Sequence, residues 1–369
     1  MRSLLRSRRA RWAVPAAVVT GLAATVGGGV LLAGASSPDL PERTPAELIA
    51  DIHDSDAEPF SGTLVQTSRL GLPDLPALRG DDHETTLLSM LTGSNTARVW
   101  YAGPDQVRFA LMGAFDETNV IRDGSDVWLW HSSSNTAEHL TLPPGMGAGE
   151  RPAMPHQPLT PAEAADRLLA EVDDSTEVTV DGTAEVAGRP AYELVIAPRD
   201  EGSLVDDIRL SIDAATSMPL RFEVNARGTA DPAFEVGFTS VTFTEPGADV
   251  FRFNPPPGAT VNERSLADLM ARQRGKMDGP PGMMMGAPEV IGDGWTSVLV
   301  IDDVTVPEGD ESGMVDALLG SGTPVSGGYG SGLLFETTLV SALWLDDGTL
   351  LVGAVTPEVL ESAAAEAAR

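Results

Sequence analysis

The stretch from Ala191 to Pro256 constrains the fold more than any other part of this 369-residue chain. It repeats short runs in which β-branched and aromatic residues alternate with polar ones, and residues typical of turns separate the runs. Intervals of about ten residues are typical of an antiparallel meander. The stretch also contains almost no side chain suited to catalysis. We therefore predict five successive strands, at 191–197, 208–213, 219–225, 234–244 and 251–256.

The N-terminus has the pattern of an export signal. Five arginines precede the run Ala13–Ala35, which carries no charge. A basic segment before an apolar run is typical of a secretory signal, and Ala33-Gly34-Ala35 offers small residues for cleavage. The run is also long enough, at about 20 residues or more, to span a bilayer. Residues 1–35 are therefore either a signal peptide or a membrane anchor, and we expect an exported protein in the cell envelope or at the outer face of the cytoplasmic membrane.

Charge and composition exclude several classes of function. The formal net charge is −30, with 54 acidic residues against 24 basic ones. So acidic a chain is not expected to bind nucleic acid, because nucleic-acid recognition needs basic patches. The chain has no cysteine, which excludes a disulfide framework, a thiolate zinc site and a cysteine nucleophile. Hydrophobic residues make up 42% of the chain, which is enough for a full core.

Two helix starts and a further set of strands precede the meander. Thr44-Pro45-Ala46-Glu47 and Thr160-Pro161-Ala162-Glu163 each combine a capping residue, a proline suited to the first turn and a glutamate that can complete a capping box. Short strand patterns run from Phe60 to Leu142. We therefore predict an α+β fold built on an antiparallel sheet, with the two capped helices covering one of its faces.

A change of composition near the C-terminus indicates a second unit. Residues 276–288 are rich in proline, glycine and methionine, which is typical of a linker. Beyond them the sequence shows further strand patterns, a Gly/Ser-rich stretch at 320–332 that we predict to be a flexible connection, and a final helix. The predicted domains are a leader at 1–35, a main domain built on the antiparallel sheet at 40–275, the linker at 276–288 and a small C-terminal α+β domain at 289–362.

The strand Val127-Trp-Leu-Trp-His131 is apolar on both of its alternating faces, which is typical of a strand covered on both sides. If the sheet curls around helices without closing, it leaves an apolar cleft that could hold acyl chains. An ordinary packed core is the alternative, because aromatic stripes are usually core. The candidate ligand-binding residues of the concave face are Leu64, Trp100, Phe109, Leu111, Trp128, Trp130 and Phe222.

Signals for catalysis or metal binding are weak. A hairpin centred on Asn135 would place His131 opposite His139, but Glu138 would point to the other face, so we expect an exposed histidine pair and no metal site. The sequence has no Gly-x-Ser-x-Gly elbow, no calcium-binding loop and no phosphate-binding loop. Paired acids such as Asp206-Asp207 are typical of turns and solvated strand ends. We therefore predict no enzyme activity, no catalytic residue and no cofactor.

The phrase Gly188-Arg-Pro-Ala-Tyr-Glu-Leu-Val-Ile-Ala-Pro198, followed by Ile208-Arg-Leu-Ser-Ile-Asp213 and Met218-Pro-Leu-Arg-Phe222, resembles the LolA-like lipoprotein-carrier superfamily. The chain looks closest to actinobacterial RseB/MucB-like exported proteins, because Gly294–Val298 and Asp347–Pro357 resemble the second domain of that group. The resemblance implies that residues 40–275 form a curved antiparallel half-open β-barrel, with helices plugging its concave face, that binds lipid or lipidated protein noncovalently. For RseB-like members it also implies sensing of such ligands and restraint of an anti-sigma factor.

Two functions of different classes are therefore expected. The first is a non-catalytic extracytoplasmic carrier that holds acyl chains of a lipid or lipoprotein in the half-barrel. The second is an RseB/MucB-like regulatory module that acts on a membrane anti-sigma factor. A third alternative is a structural protein of the cell envelope with a filled core. The expected partners are lipid or lipidated protein, the anti-sigma factor in the second case, and the membrane itself if the leader is not cleaved.

Overall fold

The computed structural model describes residues 38–55, 58–71, 93–113, 116–142, 174–265, 289–304 and 320–368. These ranges are mostly β-strand, with two α-helices, α1 (Pro45–Asp54) and α2 (Pro357–Ala367). No helix within them has the length and apolar character needed to cross a membrane. The predicted leader, the helix expected to begin near Thr160 and the linker at 276–288 lie outside the described residues.

Twelve strands form one large, open sheet. They are β1 (Phe60–Ser68), β2 (Gly93–Gly103), β3 (Gln106–Met112), β4 (Glu117–Asp123), β5 (Asp126–His131), β6 (Thr136–Thr141), β7 (Thr176–Val186), β8 (Arg189–Pro198), β9 (Val205–Asp213), β10 (Pro219–Ala226), β11 (Phe234–Thr242) and β12 (Thr260–Arg264). Their order in the sheet is β12-β6-β5-β4-β3-β2-β1-β11-β10-β9-β8-β7. All neighbours are antiparallel except β12 and β6, which are parallel.

Strand β1 joins the two halves of this sheet. It pairs with β2 on one side and with β11 on the other, so the earlier strands and the meander belong to one sheet, as the sequence predicts. The β1–β11 register shifts between Thr63 and Leu64, and β10 pairs with β11 only from Arg221 to Val224. The end of β11 beyond Gly237 therefore pairs with β1 alone. An apolar cluster that includes Phe238 packs at this seam.

Helix α1 begins as the sequence predicts. The Thr44 hydroxyl accepts a hydrogen bond from the Glu47 N–H, and the Glu47 carboxylate accepts one from the Thr44 N–H, which completes a capping box. On the apolar side of the helix, Leu48 and Ile52 are buried in a cluster that also contains Phe222 and other side chains of β8 to β11. Helix α1 therefore covers one face of the meander half of the sheet.

The last part of the meander differs from the prediction. Residues 251–256, expected to be its fifth strand, contain no strand, and a short 3₁₀ helix occupies Ala248–Phe251 instead. Phe251 is buried there. The prolines that follow it, at 255 to 257, have no N–H to donate to a strand ladder, which explains the failure. Strand β12 then adds to the sheet edge in parallel with β6.

Six strands after residue 288 form a second, antiparallel sheet, on which α2 packs. They are β13 (Glu289–Ile291), β14 (Val298–Ile301), β15 (Thr323–Gly327), β16 (Gly330–Glu336), β17 (Ser341–Leu345) and β18 (Leu350–Gly353). Their order is β13-β14-β18-β17-β16-β15. Leu360 and Ala364 of α2 are fully buried against Leu343 and Leu351, so this sheet has its own core.

One stretch that the sequence predicts to be a loop contains a strand. The Gly/Ser-rich stretch 320–332, expected to be a flexible connection, contains β15 and the tight turn into β16.

Strand β7 continues through Asp181-Gly182 with a bulge. The register shifts between Val180 and Thr183, and Gly182 has a φ of 81°, so these two residues lie opposite a single residue of β8.

The two sheets contact each other through backbone and side chains. Ser203 forms an isolated antiparallel bridge with Val355. The indole N–H of Trp295 donates to the Thr176 hydroxyl at 2.9 Å. Leu339, in the turn between β16 and β17, is 2% exposed and packs into the cluster that contains α1. The core of the large sheet is therefore completed by a side chain from the small one.

Candidate functional site

The register of the large sheet sorts its side chains onto two faces. Residues directly opposite each other on neighbouring strands share a face, and consecutive residues alternate between faces. We call one side of the sheet the inner face. It carries Leu64 and, farther along the same side, the residues packed on α1. The other side is the outer face. Leu64 pairs with Ala97 of β2 and Phe238 of β11, and all three are buried.

Four of the seven candidate ligand-binding residues lie on the inner face. Leu64, Phe109, Leu111 and Phe222 share it by register. Leu64 and Phe109 are buried, and Phe222 is buried in the cluster that contains α1. Leu111 differs, because it is half-buried. Three of these residues are therefore part of the protein core, and Leu111 leaves apolar surface open on the same face.

The three candidate tryptophans lie on the outer face, so the seven residues do not form one surface. Trp100 pairs with Ser61, and each of the two is next in sequence to an inner-face residue of its own strand, so both belong to the outer face. Trp128 and Trp130 pack against Phe253, with ring centroids 5.3 and 5.7 Å apart. The segment after the 3₁₀ helix thus covers the outer face of β5, a strand that the sequence predicts to be covered on both faces. Contact between these seven residues and a ligand stays a prediction.

An aromatic cluster extends the apolar inner face beyond α1. Phe60 stacks on Tyr101 with ring centroids 5.6 Å apart, and it meets Phe238 edge-on at 5.9 Å. The half-buried side chains of Leu111 and Val120 pack against this cluster. Apolar side chains therefore continue along the inner face from the meander half, across β1, to β3 and β4, where Leu111 and Val120 are only partly buried.

His131 and His139 do not face each other, contrary to the expected hairpin. The β5–β6 register pairs His131 with Thr136 and His139 with Trp128, so the two imidazoles lie on opposite faces. The reason is the position of the turn, which occupies residues 132–135 and ends at Asn135, whose φ is 51°. Asn135 is thus the last residue of the turn, and the register moves accordingly.

His139 has a structural role at the edge of the sheet. Its ring stacks on Trp128 at a centroid distance of 4.1 Å, and its Nδ1 and Nε2 lie 2.9 and 2.8 Å from carboxylate oxygens of Glu263 and Asp126. Because Glu263 belongs to β12, these contacts hold the parallel edge strand against β6. Among the residues that the structure describes, no group of three metal-ligating side chains is placed to hold an ion.

The outer face of the meander carries a ladder of ion pairs. Arg221 lies 3.5 Å from a carboxylate oxygen of Glu193 and 3.7 Å from one of Glu223. Burial raises the pKa of Glu223; the Arg221 charge opposes this, and the neighbouring carboxylates of Glu235 and Glu193 add to it. Perturbed carboxyl groups occur at catalytic sites, but structural ion-pair networks also produce them. The ion pairs that Arg221 forms across β8 and β10 show that Glu223 belongs to such a structural network.

The inner-face residues that the sequence reasoning missed are Phe60, Tyr101, Val120 and Phe238. A signal for Phe60 was present, since it lies four residues before Leu64 on the same strand and therefore on the same face. Phe238 could not be placed in this way, because its contact with Phe60 depends on the pairing of β1 with β11, which lie far apart in the sequence.

Comparisons with known proteins were made for sequence and for structure. No protein-family model and no curated protein matches the sequence. Among solved structures, the chain is similar to the Pseudomonas aeruginosa MucA/MucB complex, with 16% identity, coverage of 87% of this chain and 96% of that chain, and a TM-score of 0.41. A structure of MucB has 17% identity, with coverage of 87% of this chain and 96% of that chain and a TM-score of 0.36. A LolA-superfamily protein from Nitrosomonas europaea has 9% identity, with coverage of 57% of this chain and 99% of that chain and a TM-score of 0.21.

The actinobacterial origin suggested by the sequence stays a prediction. The solved structures that this chain is similar to include MucB and a LolA-superfamily protein, which are the two groups that its sequence resembles.

Proposed function

We propose that this chain is an exported, non-catalytic protein that binds acyl chains of a lipid or lipidated protein on the inner face of its large sheet. The observation that supports this most directly is the apolar surface that continues past α1. Leu111 and Val120 are half-buried there, beside the aromatic cluster around Phe60. In this proposal the open sheet is curved as a half-barrel, with α1 over its concave side.

Hydrocarbon burial supplies the driving force for this binding. Each methylene removed from water contributes about 0.8 kcal/mol. The side chains of Phe60, Leu111 and Val120 are hydrocarbons, so they favour burial and provide no nucleophile or general base. Helix α1 rests on the same face through Leu48 and Ile52, and its displacement would expose more apolar surface. The proposed mechanism is therefore binding gated by helix movement, without chemistry on the ligand.

The test is recovery of lipid with the purified protein. Organic extraction followed by mass spectrometry should detect co-purifying acyl lipid in the wild type. Leu111→Arg places a charge on the half-buried inner face and should abolish the recovery. Met112→Arg is the matched control, because Met112 is the next residue of β3, is 44% exposed and lies on the outer face. It should retain the lipid.

Thermal unfolding of both variants separates loss of binding from loss of fold. The proposal predicts similar melting temperatures for the two variants and different lipid content. Absence of acyl lipid from the wild type, or equal recovery from Leu111→Arg and Met112→Arg, would remove the carrier function and favour a filled core.

A regulatory interaction module is the second candidate function. It is favoured by β15, an edge strand of the small sheet with the exposed residues Thr323, Pro324, Ser326 and Gly327. Exposed edge strands can pair with an extended segment of a partner. Co-precipitation with the extracytoplasmic part of a membrane anti-sigma factor tests this function. Failure of the protein to retain that factor, with lipid recovered, would leave the carrier function alone.

A further inference from the structure

The outer face of the large sheet carries two arginines grouped around one tryptophan. The guanidinium carbons of Arg98 (β2) and Arg108 (β3) lie 4.9 and 5.4 Å from the centroid of the Trp100 ring. Trp100 and Arg108 are directly paired between the strands, and Arg98 lies two residues before Trp100 on the same face. We call these three side chains the arginine–tryptophan patch. Arg98 is exposed, and the other two are half-buried.

Neither arginine of the patch has an acidic partner within the described part of the chain. Apart from Arg69, every other described arginine has an aspartate or glutamate oxygen within 3.6 Å. The chain contains 54 acidic residues against 24 basic ones, so carboxylates are abundant. Neighbouring like charges repel each other. Two adjacent cations without a carboxylate, in so acidic a protein, therefore indicate a charge partner that is not part of this sheet.

Arg108 is held in place by neutral groups. Its Nε and Nη2 donate to Asn119 Oδ1 at 3.1 and 2.9 Å, and its Nη1 donates to the Val250 carbonyl at 3.1 Å. Asn119 is buried. These acceptors orient the guanidinium but leave its charge uncompensated. Each terminal nitrogen also keeps a second N–H that can be donated to another acceptor.

Hydroxyl groups border the patch on the same face. The register places Thr63 opposite Arg98 and Ser61 opposite Trp100, both on β1. A hydroxyl can donate a hydrogen bond to an oxyanion. The patch and its border thus combine one exposed guanidinium, one fixed guanidinium and two hydroxyls on an otherwise acidic protein.

We propose that the arginine–tryptophan patch is an oxyanion-binding site for a phosphomonoester group, on the face opposite to the acyl-binding surface. A phosphomonoester carries about −1.5 to −2 charges near neutral pH, which matches two uncompensated cations better than the single charge of a carboxylate. The guanidinium fork pairs well with phosphate oxygens. The net charge of −30 opposes docking of an acidic protein, which favours a small ligand group. The group can belong to a soluble compound or to a membrane headgroup.

Calorimetric titration of the purified protein with inorganic phosphate tests the site. We expect saturable binding of phosphate and much weaker binding of acetate. Arg98→Gln should weaken phosphate binding about tenfold or more, because it removes a charge-assisted interaction. Arg199→Gln is the matched control, since Arg199 is an exposed arginine that directly follows β8, pairs with Glu177 and lies several strands away from the patch. It removes the same charge and should leave phosphate binding unchanged.

The source of the phosphate is distinguished by vesicles. A membrane headgroup is identified if the protein floats with phosphatidic acid vesicles but not with phosphatidylcholine vesicles, and if Arg98→Gln abolishes this flotation. A soluble ligand is identified if the protein binds phosphate but does not float with either kind of vesicle. The site is independent of acyl binding, so Leu111→Arg should still bind phosphate. No phosphate binding by the wild type, equal binding of acetate, or equal weakening by Arg98→Gln and Arg199→Gln would overturn the proposal.

Discussion

At the residue scale, a buried ion pair organises one end of the meander. The Asp213 side chain is 1% exposed, and its two oxygens accept hydrogen bonds from Arg189 at 2.5 and 2.9 Å. The N–H and hydroxyl of Thr216 donate to it at 2.8 and 2.9 Å. Burial by itself raises the pKa of Asp213, but the hydrogen bonds from Arg189 and Thr216 outweigh that effect and hold the pKa below its ordinary value. The pair joins the β7–β8 hairpin to the β9–β10 turn.

Replacing this carboxylate tests its contribution to stability. Asp213→Asn should lower the free energy of unfolding by about 2–3 kcal/mol near neutral pH, because it removes a charge that pairs with Arg189 and orders the turn. Since the pKa of Asp213 is lower in the folded state than in the unfolded state, the stabilisation is present above the unfolded pKa and is lost as the pH falls through the folded one. Urea denaturation at neutral and at acidic pH measures both effects, and the gap between wild type and variant should shrink in acid.

Asp249→Asn is the matched control for this prediction. Asp249 pairs with Arg252, but the two side chains are 90% and 64% exposed. Solvent screens such a pair, so the same chemical change should leave stability unaltered. Equal losses in the two variants, or a gap for Asp213→Asn that does not depend on pH, would contradict the role assigned to the buried pair.

At the element scale, the close packing of β1 on β11 explains a glycine in the first strand. A Cβ atom on Gly62 would lie 2.6 Å from the Ser240 carbonyl oxygen and 2.7 Å from ring atoms of Phe238. Gly62→Ala should therefore destabilise the protein by about 1–3 kcal/mol, since an overpacked side chain must displace its neighbours. Thermal unfolding measures the loss.

Gly247→Ala is the control for the glycine. No atom lies within 4 Å of a Cβ at Gly247, and its backbone is extended with a φ of −61°, so alanine fits there without strain. We expect its stability to stay within about 0.5 kcal/mol of wild type. A similar loss in both variants would show that the effect at Gly62 does not come from contact with Phe238.

Strands rich in β-branched, aromatic or other apolar residues could be predicted from the sequence, and strands poor in them could not. The run 219–225 alternates, and the observed β10 differs from it by one residue. Strand β12 reads Thr-Val-Asn-Glu-Arg, and its place is set by parallel pairing with β6, which is distant in the sequence. Strand β15 is similar, because its proline, serine and glycine fit a loop as well as an edge strand.

At the scale of the whole molecule, the sequence could identify which residues are apolar but not which surface they form. Face assignment depends on register, and a difference of one residue moves a side chain to the other side of the sheet. Trp100 follows the inner-face residue Val99 and therefore joins the outer face. Trp128 and Trp130 are covered by Phe253, a contact that no local pattern in β5 indicates.

Contact between the two sheets is the other property of the whole molecule that depends on tertiary structure. The Ser203–Val355 bridge and the hydrogen bond from Trp295 to Thr176 join them directly. Leu339 adds an apolar contact, because it belongs to the small sheet by sequence but is buried in the core of the large one. We therefore expect the stability of β8 to β10 to depend on a residue more than a hundred positions away.

Leu339→Ala tests this dependence. The truncation should cost about 2–5 kcal/mol, as for other buried leucines, and it should speed native-state hydrogen exchange in β8 to β10 as well as in the turn that carries it. Leu343→Ala is the matched control, since Leu343 is fully buried in the core that α2 shares with the small sheet. It should speed exchange in β17, β18 and α2 first. Exchange that rises only in the small sheet after Leu339→Ala would mean that the Leu339 contact does not couple the stability of the two sheets, and any coupling would then rest on the backbone bridge between Ser203 and Val355.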